Sequence, residues 1–183
     1  YARFRSPDYL NAARIIPATG TLSGSPQPTG DNELVLQVFL PAGARPAGGW
    51  PVAIFAHGGG ASMYGGLWRV AAPLAAQGVA MITINAVGNG GGPLGTLTVA
   101  QAGLSSVMVP AGGRGVDLDG NGVIDSQEGS RPLPPLTSLF SRDGIRQTVV
   151  DLMQLVRQIE VGIDVDGDGQ ADLDHARIYF VGQ

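Results

Sequence analysis

The chain has 183 residues, a formal net charge of −4, 44% hydrophobic residues and only 14% charged ones. That is enough for one domain with a real core, and with no basic stripe anywhere the composition argues against nucleic acid as a partner. There are no cysteines, and all eleven basic residues are arginine, which excludes disulfides, thiolate metal sites, a cysteine nucleophile, a phosphate-binding loop lysine and a Schiff-base lysine.

The 29 glycines and 13 prolines favour a loop-rich, sheet-containing protein over a helical bundle. No apolar run reaches the ~18 residues of a membrane span, so no transmembrane segment is expected. The first residue is Tyr1 rather than Met and no signal-peptide pattern follows. The expectation is a processed, recombinant or partial chain.

Residues 1–33 read as an N-terminal extension with an edge strand near 14–17, followed by a loop over 19–30. Residues 34–40, LVLQVFL, read as a strand stopped by Pro41. The segment 42–49 is a turn into a second strand, and the two are expected to pair antiparallel. Val52, Ala53, Ile54, Phe55 and Ala56 form that second strand. Their apolar run does not alternate, which suits burial on both faces of a parallel sheet.

This strand ends in His57, Gly58, Gly59 and Gly60. Adjacent residues without Cβ let backbone N–H groups approach another atom closely. At the end of a buried strand that atom could be a substrate oxygen carrying developing negative charge. The plainer alternative is a glycine-rich turn.

Residues 65–77 place Leu67, Val70, Ala71, Leu74 and Ala75 at helical spacing, with Gly78 as C-cap. Residues 79–86 form another short apolar strand, completing a βαβ unit. The stretch 88–135 is long and irregular, and such loops are usually functional or metal-braced. Residues 141–160 form the clearest helix, capped by Ser141 or Asp143. Its apolar stripe is Ile145, Val149, Leu152, Val156 and Ile159, widened by Met153 and Leu155. Residues 174–182 read as a third buried strand.

Two acidic loops interrupt this plan. Residues 117–128 read DLDGNGVIDSQE and match the twelve-residue calcium loop at its diagnostic positions. Asp117, Asp119 and Asn121 supply oxygens, Gly122 the sharp turn, Val123 a carbonyl, Asp125 the ninth position and Glu128 the bidentate carboxylate. Ile124 tucks inward. Asp164, Asp166, Asp168, Gln170 and Asp172 repeat the register, with Gly169 at the turn. His175 stands at position 12, where Asp174 substitutes from position 11. Oxygen-only ligands on this spacing suit a hard cation, so Ca2+ is expected in both loops. The alternative is a solvated acidic turn. Abundant calcium in turn points to a secreted or periplasmic compartment.

With these elements placed, residues 34–183 resemble the N-terminal part of the α/β-hydrolase family, and in particular bacterial secreted lipases and esterases. His57-Gly58-Gly59-Gly60 matches the family's oxyanion-hole motif, and Tyr179-Phe180-Val181-Gly182-Gln183 resembles the strand entering its G-x-S-x-G elbow. The resemblance implies a mostly parallel sheet with helices on both faces, carrying an insertion over 88–140. It also implies an ester hydrolase whose nucleophilic serine follows Gln183. Gly58, Gly59 and Gly60 would be oxyanion donors and His57 would order their loop.

No other G-x-S-x-G occurs, so the resemblance leaves the triad outside this chain. The implied partner is the C-terminal remainder of the domain, in the same polypeptide or as a second chain. The implied substrate is a small-molecule, lipid or polyester ester. Two other readings stand beside it. One is a calcium-stabilised extracellular binding or adhesion module without catalysis. The other, a nucleotide-binding βαβ protein, lacks the third glycine of its fingerprint.

Overall fold

The structure is a computed structural model that describes residues 1–19, 24–100, 102–125, 128–129 and 137–182. Among these residues there are seven strands and two helices. They are β1 (Ala2–Asp8), β2 (Gly30–Phe39), β3 (Trp50–Ala56), α1 (Leu67–Ala76), β4 (Ala80–Ile84), β5 (Thr96–Val99), β6 (Val107–Pro110), α2 (Thr137–Val161) and β7 (Leu173–Gly182).

Five strands form one sheet in the order β1-β2-β4-β3-β7, and β5 and β6 form a separate hairpin. β1 pairs antiparallel with β2, and β2 antiparallel with β4. β3 pairs parallel with both β4 and β7. Every residue of β4 is buried, and in β3 Val52 to Phe55 are buried. These two central strands are the two non-alternating apolar runs, which cannot leave either face in water.

Alternate residues of the central strands feed two apolar clusters. Val52, Ile54, Ala80, Ile82 and Ile84 pack with Leu155 and Ile159 of α2. Phe55 and Met81 pack with Ala71 of α1. The βαβ unit β3-α1-β4 is present. α1 ends as its sequence requires: Gly78 takes φ +72°, its N–H reaches Ala75 O at 3.0 Å, and Val79 N–H reaches Leu74 O at 3.0 Å. This is the Schellman arrangement, which satisfies carbonyls that the helix end leaves open.

Several expectations need correction. The α/β-hydrolase fold, a mostly parallel sheet with helices on both faces, is not what the chain forms. It is mostly strands in a mixed sheet with only two helices, and two of the four pairings in the main sheet are antiparallel. An apolar run reports burial but not the direction of its neighbour. The long connection after β4 adds a hairpin rather than a helix layer. On the outer edge, β7 leaves Tyr179 and Phe180 more than half exposed.

β2 does not pair with β3, because β4 lies between them. The N-terminal edge strand is Ala2–Asp8 rather than 14–17, where Asn11 instead ties a turn. Neither Ser141 nor Asp143 caps α2, which starts earlier at Thr137. The turn run 131–135 and Gln183 lie outside the described residues.

The stripe expected on α2 is half wrong. Ile145, Val149 and Met153 are exposed. The first half of the helix buries Asp143, Gln147 and Asp151 instead, continuing at the same four-residue spacing into Leu155 and Ile159. Ser6 Oγ donates to Asp151 Oδ1 at 2.6 Å, as does Gln147 Nε2 at 2.9 Å. Arg114 Nη1 donates to Asp151 Oδ2. Gln147 also bonds Pro7 O and Tyr9 N–H. A satisfied polar network therefore fastens β1 and the 111–116 segment to the helix, as burial of such groups requires.

Candidate functional site

Parallel β3 and β4 end side by side, and the chain leaving them builds the site. Ligands of open parallel sheets bind beyond the carboxyl ends of the strands. His57, the first residue after β3, is buried. Ala86 N–H donates to His57 Nε2 at 3.1 Å, and His57 Nδ1 lies 2.9 Å from Gly58 O. Nε2 is thus an acceptor, and the proton belongs on Nδ1 facing the carbonyl. Burial pushes the imidazole pKa down, with the Gly58 carbonyl opposing it. Both nitrogens are committed to backbone, so the ring ties the end of β3 to the residue after β4 and has no lone pair to offer a substrate.

The three glycines are not equivalent. Gly60 N–H donates to Asn89 Oδ1 at 2.8 Å, so that amide is already spent and is not an oxyanion donor. Gly58 and Gly59 amides donate to no described group, and both residues line a cleft of about 430 Å³. A Cβ on Gly59 would meet nothing within 4 Å. The facing wall comes from α2 and is mainly apolar: Phe140, Ile145, Val149 and Leu152. Val87 N–H is held by Thr148 Oγ1 at 3.0 Å, which fixes this wall against the β4 exit.

Two buried asparagines that sequence reasoning missed position the loop. Met63 N–H donates to Asn85 Oδ1 at 2.7 Å, while Asn85 Nδ2 donates to Ala111 O and Gly112 O. Asn89 holds Gly60 and donates to Val87 O at 2.9 Å. The signal available was an amide directly after a mostly apolar strand, in NAVGNG. Gly90 follows from this: at φ +78° its Cβ would sit 2.5 Å from Asn85 Cγ. Among the described residues neither histidine meets a hydroxyl, so no nucleophile–base pair is assembled here.

The acidic loops each gather three carboxylates. Asp117, Asp119 and Glu128 bring ligand atoms within 4.8 Å of one another, as do Asp164, Asp166 and Asp172. Either cluster could hold a metal ion. In the first loop Asp117 accepts Gly120 N–H and Gly122 N–H at 2.7 and 2.8 Å. These bonds, the Gly122 one foremost, hold its carboxyl below the usual range. Asn121 Oδ1 accepts Val123 N–H, and Asp125 is bonded to Glu128 through both residues' amides. Asp125 stands outside the three-carboxylate cluster. Ile124 packs close to Gly92 and Gly115, where an added Cβ would meet its side chain at 2.9 and 2.6 Å. The loop is thereby pinned to the segment that follows β4.

In the second loop Asp164 accepts Gly167 and Gly169 amides, and the latter is the main reason its carboxyl pKa is lowered. Buried Asp172 accepts Val165 N–H at 2.7 Å. Arg45 reaches Asp168 at 3.2 Å and Asp172 at 3.4 Å. Gln170 enters through its backbone, donating N–H to Asp168. Asp174 does not join; its carboxylate is held by Arg177 and Ala176 N–H. His175 is exposed.

No family model, curated protein or solved structure matches the chain. The α/β-hydrolase resemblance therefore gains no support from comparison, and the functional reading rests on the geometry alone. No described helix is long and apolar enough to cross a membrane.

Proposed function

We propose that this chain supplies the oxyanion-binding half of a serine ester hydrolase acting on esters with an apolar acyl group. The observation that carries the reading is the register of β3 with β7. Ala56 pairs with Gly182 in parallel, so the chain leaves β7 beside His57 and the unspent amides of Gly58 and Gly59. In this reading the residue after Gln183 is the nucleophilic serine. Its acyl-enzyme oxygen takes hydrogen bonds from Gly59 and Gly58, and the acyl chain lies along Ile145, Val149 and Leu152. His57 orders the donors and moves no proton; the base comes from the remainder of the domain, in the same polypeptide or a second chain.

Calcium is the ion that best fits the two acidic clusters, since all their donors are oxygens and the first carries a carboxylate pair plus Glu128 at calcium-loop spacing. The ions are structural here: one braces the segment after β4, the other the turn between α2 and β7. Such sites suit a calcium-rich, secreted or periplasmic setting. The same loops, taken alone, favour the second reading, a calcium-stabilised binding module without catalysis.

Two substitutions at Gly59 separate these. Gly59→Ala keeps the N–H and has room for its methyl. Gly59→Pro removes the N–H at a residue whose φ is not positive. In the longest native polypeptide carrying this sequence, turnover of p-nitrophenyl hexanoate should survive Ala. It should fall about 10²–10³-fold with Pro, the usual effect of losing one oxyanion donor. Equal turnover in both variants, or none in the parent, would sink the reading.

A further inference from the structure

A second cavity, of about 380 Å³, lies between the β1–β2 pair and the 110–116 segment. Its apolar wall includes Val35, Pro93, Pro110 and Val116, and its cations are Arg3, Arg14 and Arg114. Two of these cations already have carboxylates: Arg3 pairs with Glu33 and Arg114 with Asp151.

Arg14 does not. Among the described residues three arginines are partly to largely buried, namely Arg14, Arg45 and Arg114. Arg45 sits on Asp168 and Asp172. Arg14 makes no described ion pair, and its Nε is buried without a hydrogen-bond partner. Burial is the main reason its pKa falls below the ordinary arginine value, and neighbouring Arg114 pushes the same way; Asp8 and Asp151 oppose them without bonding it. A guanidinium stays charged under such conditions and offers five donors.

The backbone holds this arrangement under strain. Arg14 is the one described non-glycine residue with positive φ, at +59°. Asn11 Oδ1 accepts both Ala13 and Ile15 amides, Arg14 N–H bonds Asn11 O, and Ile16 N–H is anchored on buried Asp143 at 2.9 Å. A left-handed arginine persists only where its surroundings over-determine it, and such outliers cluster at ligand clamps.

We infer that this cavity binds a small organic carboxylate, its head group on the Arg14 guanidinium and its apolar body along Val35, Pro93, Pro110 and Val116. One guanidinium with no ion-pair partner and an unbonded Nε suits one negative charge, and a planar fork matches a carboxylate in bidentate geometry. The apolar wall selects an organic acid over inorganic phosphate.

The test uses amide chemical-shift titration of the longest native polypeptide carrying this sequence with sodium hexanoate and, separately, inorganic phosphate. Hexanoate should saturably shift Val35, Gly112, Gly113 and Gly115. Arg14→Gln should weaken that binding by about 10–100-fold, the scale for losing a charge-assisted pair. Arg14→Gly, which also relieves the positive φ, should weaken it equally while keeping the unliganded spectrum. The inference is overturned if hexanoate leaves those amides unmoved. It is equally overturned if phosphate binds there as tightly, or if either variant binds hexanoate like the parent.

Discussion

Arg114 Nη1 lies 2.5 Å from Asp151 Oδ2, with both side chains nearly or fully buried. This pair joins the segment after β4 to α2, and Ser6 Oγ and Gln147 Nε2 donate to the other carboxylate oxygen, Asp151 Oδ1. Breaking a buried pair leaves an uncompensated charge, whereas removing both partners does not. Asp151→Ala should cost about 3–5 kcal/mol in urea unfolding. Arg114→Met combined with Asp151→Leu should cost less than Asp151→Ala alone. A double variant at least as unstable as the single would mean that the pair adds net stability beyond avoiding an orphan charge.

The Asp143 carboxylate is buried, held by Arg142 first and then by Ile16 N–H, and its pKa is lowered. A depressed folded pKa gives stability that is fully present above the unfolded value, about 3.9, and lost as pH falls through the folded value. Urea midpoints measured from pH 5 downward should therefore decline below about pH 4. Asp143→Asn should be less stable at pH 7 and show a shallower decline in acid.

His57 works in a similar direction through a base. Burial lowers its pKa, so the folded state favours neutral imidazole. That contribution is whole above about pH 6.5, the unfolded value, and is lost as pH falls through the lower folded value. Long-range ¹H–¹⁵N spectra at pH 7 should show the proton on Nδ1 and an unprotonated Nε2. His57→Ala should cost about 1–3 kcal/mol, since Ala86 N–H loses its acceptor. A proton on Nε2 would contradict the bond from Ala86.

Calcium should raise the melting temperature, with two binding events in calorimetry, and EDTA should reverse it. Saturation at one hundred times Kd stabilises by about 2.7 kcal/mol per site. Glu128→Gln should abolish the event at the first loop and leave the second, while Asp164→Asn should do the reverse. Magnesium giving equal stabilisation would argue against calcium-specific clips.

What could be read from the sequence divides along the range of the interactions. Gly78 and the apolar runs of β3 and β4 announce themselves locally, and each sits where its own spacing puts it; the acidic loops are as local, but each gathers only three of its expected carboxylates. The stripe on α2 misled because hydrophobic periodicity cannot see distant polar partners. Asp143, Gln147 and Asp151 are buried only because Ile16, Ser6, Pro7, Tyr9 and Arg114 wait for them in other parts of the chain. The order of the sheet was equally invisible: nothing in residues 34–56 says that β4 will insert between β2 and β3. At the site, the glycines after β3 were legible. The sacrifice of Gly60 N–H to Asn89 was not, because it depends on a residue 29 positions away.

The most direct test of the central proposal is intact mass after treatment with a fluorophosphonate. The sample is the longest native polypeptide carrying this sequence, with the 183-residue chain beside it. One adduct on a serine immediately after Gln183, and none on the shorter chain, is the predicted result. An unlabelled native polypeptide, or an adduct within residues 1–183, would contradict it.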